Sequence, residues 1–139
     1  MRPLAALVCA LCLAALTVSC SDSSSPAGTT GVRVISPADG AGLLDDPPPD
    51  LVVLDVRTLE EFATGHLEGA TMLDFHRTDF VDRLAQLDRD TPYLLYCRSG
   101  NRSGQTRAIM EELGFTDVAD IDGGVLAWDA AGLPLTTSS

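Results

Sequence analysis

The sequence predicts an α/β domain with a central, mainly parallel sheet of about five strands flanked by helices. Short apolar segments alternate with segments of helical periodicity, a pattern typical of βαβ units. The clearest strand, at residues 51–56, is apolar at nearly every position, as expected of a strand covered on both faces. The chain has 139 residues, 45% hydrophobic and 5% aromatic. A chain of this length supports one domain with one modest core.

The first half of the domain begins with a predicted strand at residues 32–35. Ser36 then supplies an N-cap and Pro37 a first helical residue, so a brief helix is predicted to about residue 44. Residues 45–50 are all aspartate or proline and predict an exposed acidic loop, because proline cannot continue a helix. Thr58 and Glu61 fit a capping box at the start of a short helix that ends before Gly65.

The second half continues the alternation with a predicted strand at residues 71–75. Thr78 is expected to cap a helix that places Phe80, Leu84 and Leu87 on one face. A strand at residues 93–96 leads into Cys97, and the next helix runs to residue 113. A last strand at residues 118–121, a glycine turn at 123–124 and a terminal helix at 125–131 complete the pattern.

The charge of the chain limits its partners. The formal net charge is -11, and lysine is absent, so that every basic side chain is arginine. This acidic balance argues against nucleic acid or an anionic membrane surface as a partner. Any binding of anions must therefore depend on a local arrangement of charge.

Residues 1–19 are predicted to be an export signal. Arg2 precedes an apolar run at residues 4–18, which is shorter than a membrane span usually requires. Residues 16–20, with the sequence LTVSC, resemble the lipobox of bacterial lipoproteins, with Thr17 where that family usually has leucine. The resemblance implies that Cys20 is lipidated and becomes the new N-terminus. Cleavage by ordinary signal peptidase and retention as an uncleaved anchor are the alternatives.

Residues 20–31 are predicted to comprise the lipidated cysteine and a flexible, Ser-rich tether. A coil of this composition reaches roughly 15 to 20 Å. The domain would thus lie in the cell envelope of a bacterium, anchored to the membrane only through the N-terminal lipid. In a Gram-negative source it would be on the periplasmic face, and Ser21, in place of an aspartate, favours the outer membrane. In a Gram-positive source it would be on the extracellular face.

The most informative stretch is the loop that follows the strand at 93–96. Three of the four cysteines lie in the first twenty residues, which leaves Cys97 as the single thiol of the predicted domain. Six loop residues follow it: Arg98, Ser99, Gly100, Asn101, Arg102 and Ser103. Loop N–H groups, the start of a helix and two arginine charges all favour an anion. We therefore predict an anion site around a cysteine that is biased towards the thiolate.

Four separated motifs resemble a rhodanese domain. They are Asp55-Val56-Arg57, Glu61-Phe62 with Gly65-His66-Leu67-Glu68-Gly69-Ala70, the loop at residues 97–103, and Gly123-Gly124 with Trp128. The resemblance covers about residues 32–135 and leaves 136–139 as a C-terminal tail. It implies the rhodanese-like three-layer fold and sulfurtransferase activity, in which Cys97 accepts a sulfane sulfur from thiosulfate or a persulfide donor. The persulfide then passes its sulfur to a thiophilic acceptor such as cyanide or a thiol, including that of a thioredoxin-like protein.

The resemblance also suggests roles around the catalytic Cys97. We expect Arg98 to contact the anionic donor and Arg102 either to join it or to brace the loop. Asp55 and Arg57 are expected to support the site, with Asp55 holding loop amides or pairing with Arg57 rather than transferring a proton. His66 is expected to make a turn hydrogen bond. No cofactor or metal is expected, because two isolated histidines and one thiol do not make a metal site, and we expect a monomer.

The loop length separates sulfur transfer from phosphate chemistry. Cysteine phosphatases carry five residues between cysteine and arginine, as do the cell-cycle phosphatases and arsenate reductases of related fold, whereas four separate Cys97 from Arg102. The shorter loop favours a sulfur atom over a phosphoryl group. Two other functions remain open: a non-catalytic rhodanese-like binding module, and a redox or sulfide-handling thiol protein of the cell envelope.

Overall fold

The computed structural model describes residues 30–137. The predicted export signal, the lipidated cysteine and most of the tether, together with residues 138–139, lie outside the described residues. Strands and helices alternate along the described range: β1 (Val32–Ile35), α1 (Pro37–Asp45), β2 (Val52–Asp55), α2 (Leu59–Ala63), β3 (Thr71–Met72), α3 (Phe80–Ala85), β4 (Tyr93–Tyr96), α4 (Asn101–Glu112), β5 (Val118–Ile121) and α5 (Gly124–Ala130). No helix in this range is long and apolar enough to cross a membrane.

The five strands form one sheet in the order β1-β5-β4-β2-β3, and every pairing is parallel. The predicted α/β class and the parallel five-stranded sheet are confirmed. β4 occupies the centre, and all four of its residues are buried, as its sequence YLLY leads one to expect. The chain leaves β4 towards β5 on one side, whereas β2 is followed by β3 on the other. The sheet therefore reverses its direction of winding between β2 and β4, where ligands bind in open parallel sheets.

Helices cover both faces of the sheet and give the three layers of the predicted fold. On one face, Phe80 and Leu84 of α3 and Met110 of α4 pack with Leu95 and Cys97. On the other face, α1 and α5 cover the sheet, and the buried Trp128 of α5 packs with side chains of β4 and β5. Cys97 thus belongs, by its side chain, to the core beneath α3 and α4.

The largest differences from the sequence prediction are the length of β3 and the start of α3. The strand predicted at 71–75 is only two residues long, because after Met72 the chain makes separate hydrogen bonds, from the N–H of Leu73 to Asp55 and of Phe75 to Val56, rather than a ladder. Thr78 was the wrong N-cap for α3. The N-cap position is Asp79, whose carboxylate binds Arg77 and Arg83 instead of a helix amide.

Candidate active site

The ends of β2 and β4 place two predicted groups at the same edge of the sheet. Asp55 is the last residue of β2 and pairs in register with Tyr96, the last residue of β4. The N–H of Val56 donates to the carbonyl of Tyr96 over 3.1 Å, so the two strands stay together up to the point where Cys97 begins its loop. The parallel sheet is therefore what brings the motif around Asp55 beside the cysteine.

Cys97 lies at the base of the loop and is 1% exposed. Its Sγ accepts a hydrogen bond from the N–H of Gly100 over 3.1 Å. Gly100 has φ of 92°, in the left-handed region that favours glycine, and this curl turns its amide back towards the sulfur. Within the described residues, Gly100 provides the one N–H bonded to Sγ, fewer than the several converging amides that the loop sequence suggested.

Arg98 and Arg102 have different surroundings. Arg98 is exposed and, within the described residues, its side chain makes no hydrogen bond or ion pair. Arg102 is bound to Glu61 in a two-pronged ion pair, with Nη1 2.8 Å from Oε2 and Nη2 2.7 Å from Oε1. The hydrogen bonds from Arg102 lower the pKa of Glu61 to about 2. Arg98 is thus available to an anion, whereas Arg102 ties α4 to α2, the bracing alternative of its two predicted roles.

Asp55 and Arg57 form a buried pair behind the loop. Asp55 Oδ1 accepts from the backbone N–H of Arg57 over 2.9 Å, and Arg57 Nη2 donates to Oδ2 over 2.6 Å. The same Nη2 also donates to the carbonyl of Gly65 over 2.8 Å, which links β2 to the turn before His66. Arg57 is 2% exposed, so the pair supports the site and leaves no surface for a donor.

Tyr96, His66 and Trp128 complete the support. The Arg57 guanidinium lies over the Tyr96 ring, 5.4 Å from its centroid. Burial, aided by the Asp55 carboxylate, raises the pKa of Tyr96, whose hydroxyl accepts from the N–H of Leu67 over 3.2 Å. His66 Nδ1 lies 3.0 Å from the carbonyl of Phe62, a local contact of the predicted kind. Trp128 is 2% exposed and belongs to the core.

Asp120 is a buried acid near the start of α4 that sequence reasoning missed. Asp120 of β5 is 3% exposed, and its Oδ2 accepts from Arg107 Nε over 3.3 Å. Burial raises the pKa of Asp120, while Ser103 and Arg107 act in the opposite sense. Ser103 Oγ and Asp120 Oδ1 are buried without a hydrogen bond. The available signal was an acid inside an otherwise apolar strand, as Asp55 also is.

These contacts give the site a defined chemical capacity. It combines one buried thiol, one amide directed at the sulfur, and one exposed guanidinium on the adjacent residue. Among residues 30–137, no group of three or more histidine, cysteine, aspartate or glutamate side chains could hold a metal ion. The arrangement suits a cysteine nucleophile that carries or binds negative charge.

Known proteins with similar sequences carry sulfurtransferase names. The chain is 35% identical over 86 residues to a protein of Allochromatium vinosum named sulfurtransferase, an alignment that covers 62% of this chain and 78% of that protein. It is 40% identical over 79 residues to thiosulfate sulfurtransferase GlpE of Pseudomonas putida, covering 57% of this chain and 70% of that protein.

Solved structures and a family profile agree with these relatives. A rhodanese-related protein from Thermoplasma volcanium superposes with a TM-score of 0.67 at 26% identity, over 76% of this chain and 99% of that one. A rhodanese-like domain protein from Staphylococcus aureus gives a TM-score of 0.64 at 27% identity, over 77% and 99% of the two chains. The profile of the family described as "Rhodanese-like domain" matches residues 36–131. With its parallel sheet and its cysteine loop at the end of the central strand, the chain belongs to the rhodanese-like domain family.

Proposed function

We propose that this protein is a thiosulfate:cyanide-type sulfurtransferase that moves a sulfane sulfur through a persulfide on Cys97. The donor is thiosulfate or another small persulfide-type molecule, and the acceptor is cyanide or a thiol. The observation that carries the proposal is the placement of Cys97 Sγ under the N–H of Gly100, 3.1 Å away, directly before the exposed Arg98. The sulfurtransferase names of the relatives support the same class of reaction.

The first half-reaction forms the persulfide. The Cys97 thiolate attacks the outer sulfur of thiosulfate, the S–S bond of thiosulfate breaks, and sulfite leaves with the bonding electron pair. Donor, leaving group and persulfide are all anionic, so the Gly100 amide and the Arg98 guanidinium favour each stage. The small exposed fraction of Cys97 favours a small donor, and we propose that the exposed Arg98 side chain binds it.

The second half-reaction regenerates the thiolate. The acceptor attacks the outer sulfur of the persulfide, the S–S bond breaks, and its electron pair returns to Cys97 Sγ. With cyanide the product is thiocyanate, and with a thiol it is a new persulfide. The cycle is balanced without an external oxidant or reductant. Cys97 is the one free cysteine among the described residues, so within that range no second thiol can collapse the persulfide into a disulfide.

The decisive experiment combines activity with intact mass. The wild type should convert thiosulfate and cyanide to sulfite and thiocyanate, and should gain the mass of one sulfur atom after thiosulfate alone. The Cys97→Ser variant should do neither while keeping the unfolding temperature of the wild type. If activity survives the substitution, or if the active wild type gains no sulfur, the persulfide mechanism on Cys97 is wrong. If the wild type neither turns over nor gains sulfur, a non-catalytic binding module becomes the better description.

We also propose that the protein is exported and anchored in the bacterial cell envelope through a lipid on Cys20. The support is the sequence of residues 1–20, with its apolar run and lipobox-like end. In a bacterial host the wild type should fractionate with membranes, and Cys20→Ala should release it into the soluble envelope fraction or stop its maturation. A wild type that retains residues 1–19 and carries no lipid on Cys20, measured by intact mass, would contradict lipidation and favour an uncleaved anchor.

A further inference from the structure

We propose that Gly124, together with the backbone N–H groups of Val125 and Leu126, sets the shape of the cysteine loop, which makes Gly124 a positioning residue for Cys97. The kinetic consequence of this inference rests on the proposed sulfur transfer. Its structural part concerns the loop alone and can be tested without turnover.

The first step concerns the hydrogen bonds between α5 and the loop. The N–H of Val125 donates to the carbonyl of Cys97 over 2.9 Å, and that of Leu126 donates to the carbonyl of Arg98 over 3.0 Å. Helix α5 has no side-chain cap at its start. The first N–H groups of a helix have no partner within the helix, so these two need acceptors from elsewhere. The two carbonyls of the cysteine loop provide them, and the loop is in effect the cap of α5.

The second step concerns how closely the two backbones approach. A Cβ at Gly124 would lie 2.4 Å from the Cys97 carbonyl oxygen and 2.7 Å from the Arg98 carbonyl carbon, distances too short for any real side chain. Gly124 also has φ of 59°, which disfavours other residues. The clash would be with backbone atoms, which cannot swing aside as a flexible side chain could. Only glycine allows the start of α5 to lie against the loop at this distance.

The third step concerns what this contact does to the sulfur. Cys97 Sγ belongs to the core beneath α3 and α4, whereas Val125 and Trp128 of α5 pack on the opposite face of the sheet. Because α5 holds the carbonyl oxygens of Cys97 and Arg98, their lone pairs are directed to its amides and are not available to face the sulfur. The chain then turns at Gly100 and presents an N–H to Sγ. The sulfur therefore lies against a hydrogen-bond donor. A loop that was not held by α5 could instead direct these carbonyl oxygens, which are acceptors, at the sulfur.

The test is Gly124→Ala in the full-length chain, with Gly132→Ala as the matched control. Gly132 ends α5 with φ of 71° and has open space around its Cβ position, so alanine there introduces similar backbone strain without touching the loop. The rate at which iodoacetamide alkylates Cys97 is measured by peptide mass spectrometry from about pH 5 to about pH 10, which distinguishes Cys97 from the N-terminal cysteines. We expect Gly124→Ala to alkylate about tenfold more slowly near neutral pH, with the profile moved to higher pH. Gly132→Ala should follow the wild type.

Thiosulfate kinetics provide the second readout. Gly124→Ala should lower kcat/KM by at least about tenfold, equivalent to about 1.4 kcal/mol, while Gly132→Ala keeps the wild-type value. An alkylation profile for Gly124→Ala identical to that of the wild type would overturn the positioning role. If the wild type alkylates normally but has no turnover with thiosulfate, the proposed function fails while the structural inference stands.

A measurement on the wild type covers the case in which Gly124→Ala does not fold. First-turn amides of a helix usually exchange quickly with solvent because they lack partners. The N–H groups of Val125 and Leu126 should instead be protected from hydrogen exchange to the same degree as core amides, although Leu126 is 47% exposed. Rapid exchange of both amides would show that α5 does not hold the loop.

Discussion

At the scale of single residues, the two arginines of the loop have the same charge and different roles. Arg102 forms an ion pair with Glu61, and its side chain is 16% exposed. Arg98 is exposed and, in the described part of the chain, without a charged partner. We therefore expect an anionic donor to bind the Arg98 guanidinium, because that of Arg102 is already paired with a carboxylate in good geometry.

Replacing Arg98 by glutamine should weaken donor binding and leave stability unchanged. We expect KM for thiosulfate to rise about tenfold, the loss of one charge-assisted hydrogen bond, with a smaller change in kcat. Steady-state kinetics test this, with Arg89→Gln as the control. Arg89 is also exposed and precedes β4, so the control makes the same change in net charge at the opposite edge of the sheet. An equal rise in KM for both variants would assign the effect to net charge and not to Arg98.

At the scale of elements, the contact between α2 and α4 joins two motifs that are far apart in sequence. Glu61 completes the capping box of α2, since its Oε2 accepts from the N–H of Thr58 over 3.0 Å and its own N–H donates to Thr58 Oγ1 over 3.3 Å. The same carboxylate binds Arg102 in the first turn of α4. One acid therefore both starts a helix and braces the cysteine loop.

The Glu61→Gln variant should separate these two roles. Glutamine can still complete a capping box but cannot form the ion pair with Arg102. Because the pKa of Glu61 is lowered to about 2 from 4.5, its ionised form contributes stability that is present above about pH 4.5 and is lost as the pH falls towards about 2. We expect the free energy of unfolding to drop by about 1 to 3 kcal/mol at neutral pH, with the difference shrinking below about pH 4.5.

Urea unfolding at a series of pH values measures this difference, and Glu60→Gln is the matched control. Glu60 is exposed on the same turn of α2 and makes no ion pair in the described structure. The control should track the wild type at every pH. A Glu61→Gln deficit that stays constant down to about pH 2 would contradict an origin in the ionised carboxylate.

At the scale of the whole molecule, the negative net charge disfavours the binding of an anionic donor at the site. The chain carries a formal charge of -11, and the proposed donor is an anion. Long-range repulsion slows the approach of thiosulfate, although charges separated by more than about 8 Å are largely screened at physiological salt. The site must therefore rely on local groups, which are the Gly100 amide bonded to the sulfur and the exposed guanidinium of the adjacent residue Arg98.

This repulsion predicts that KM for thiosulfate depends on ionic strength. KM for thiosulfate should fall as ionic strength rises from about 10 mM to about 150 mM, because screening weakens the repulsion of the whole protein more than the short contact with Arg98. Initial rates in a non-binding salt measure it, and Arg89→Gln, which makes the chain one charge more negative, should show a steeper fall. A flat response, or a rise in KM with salt, would show that the local field of Arg98 dominates.

The sequence alone predicted the order of nearly all the strands and helices, the parallel sheet and the position of Cys97. Apolar periodicity, capping residues and glycines act between neighbours in the chain, so a strand such as β4 or the capping box at Thr58 is visible in a few consecutive residues. One error falls where side chains had competing partners. Asp79 displaced Thr78 at the start of α3, and its carboxylate turned to Arg77 and Arg83 instead of the helix.

The tertiary structure alone decided which residues meet around the sulfur. Arg102 pairs with Glu61, a residue 41 positions away, and this choice between two predicted roles depended on where α2 lies relative to α4. The contact of Gly124 with the Cys97 carbonyl and the burial of Asp120 under α4 depend in the same way on how closely two elements pack. Local sequence determines which elements form and supplies the thiol, whereas the distances that shape its surroundings arise only when the sheet brings distant segments together.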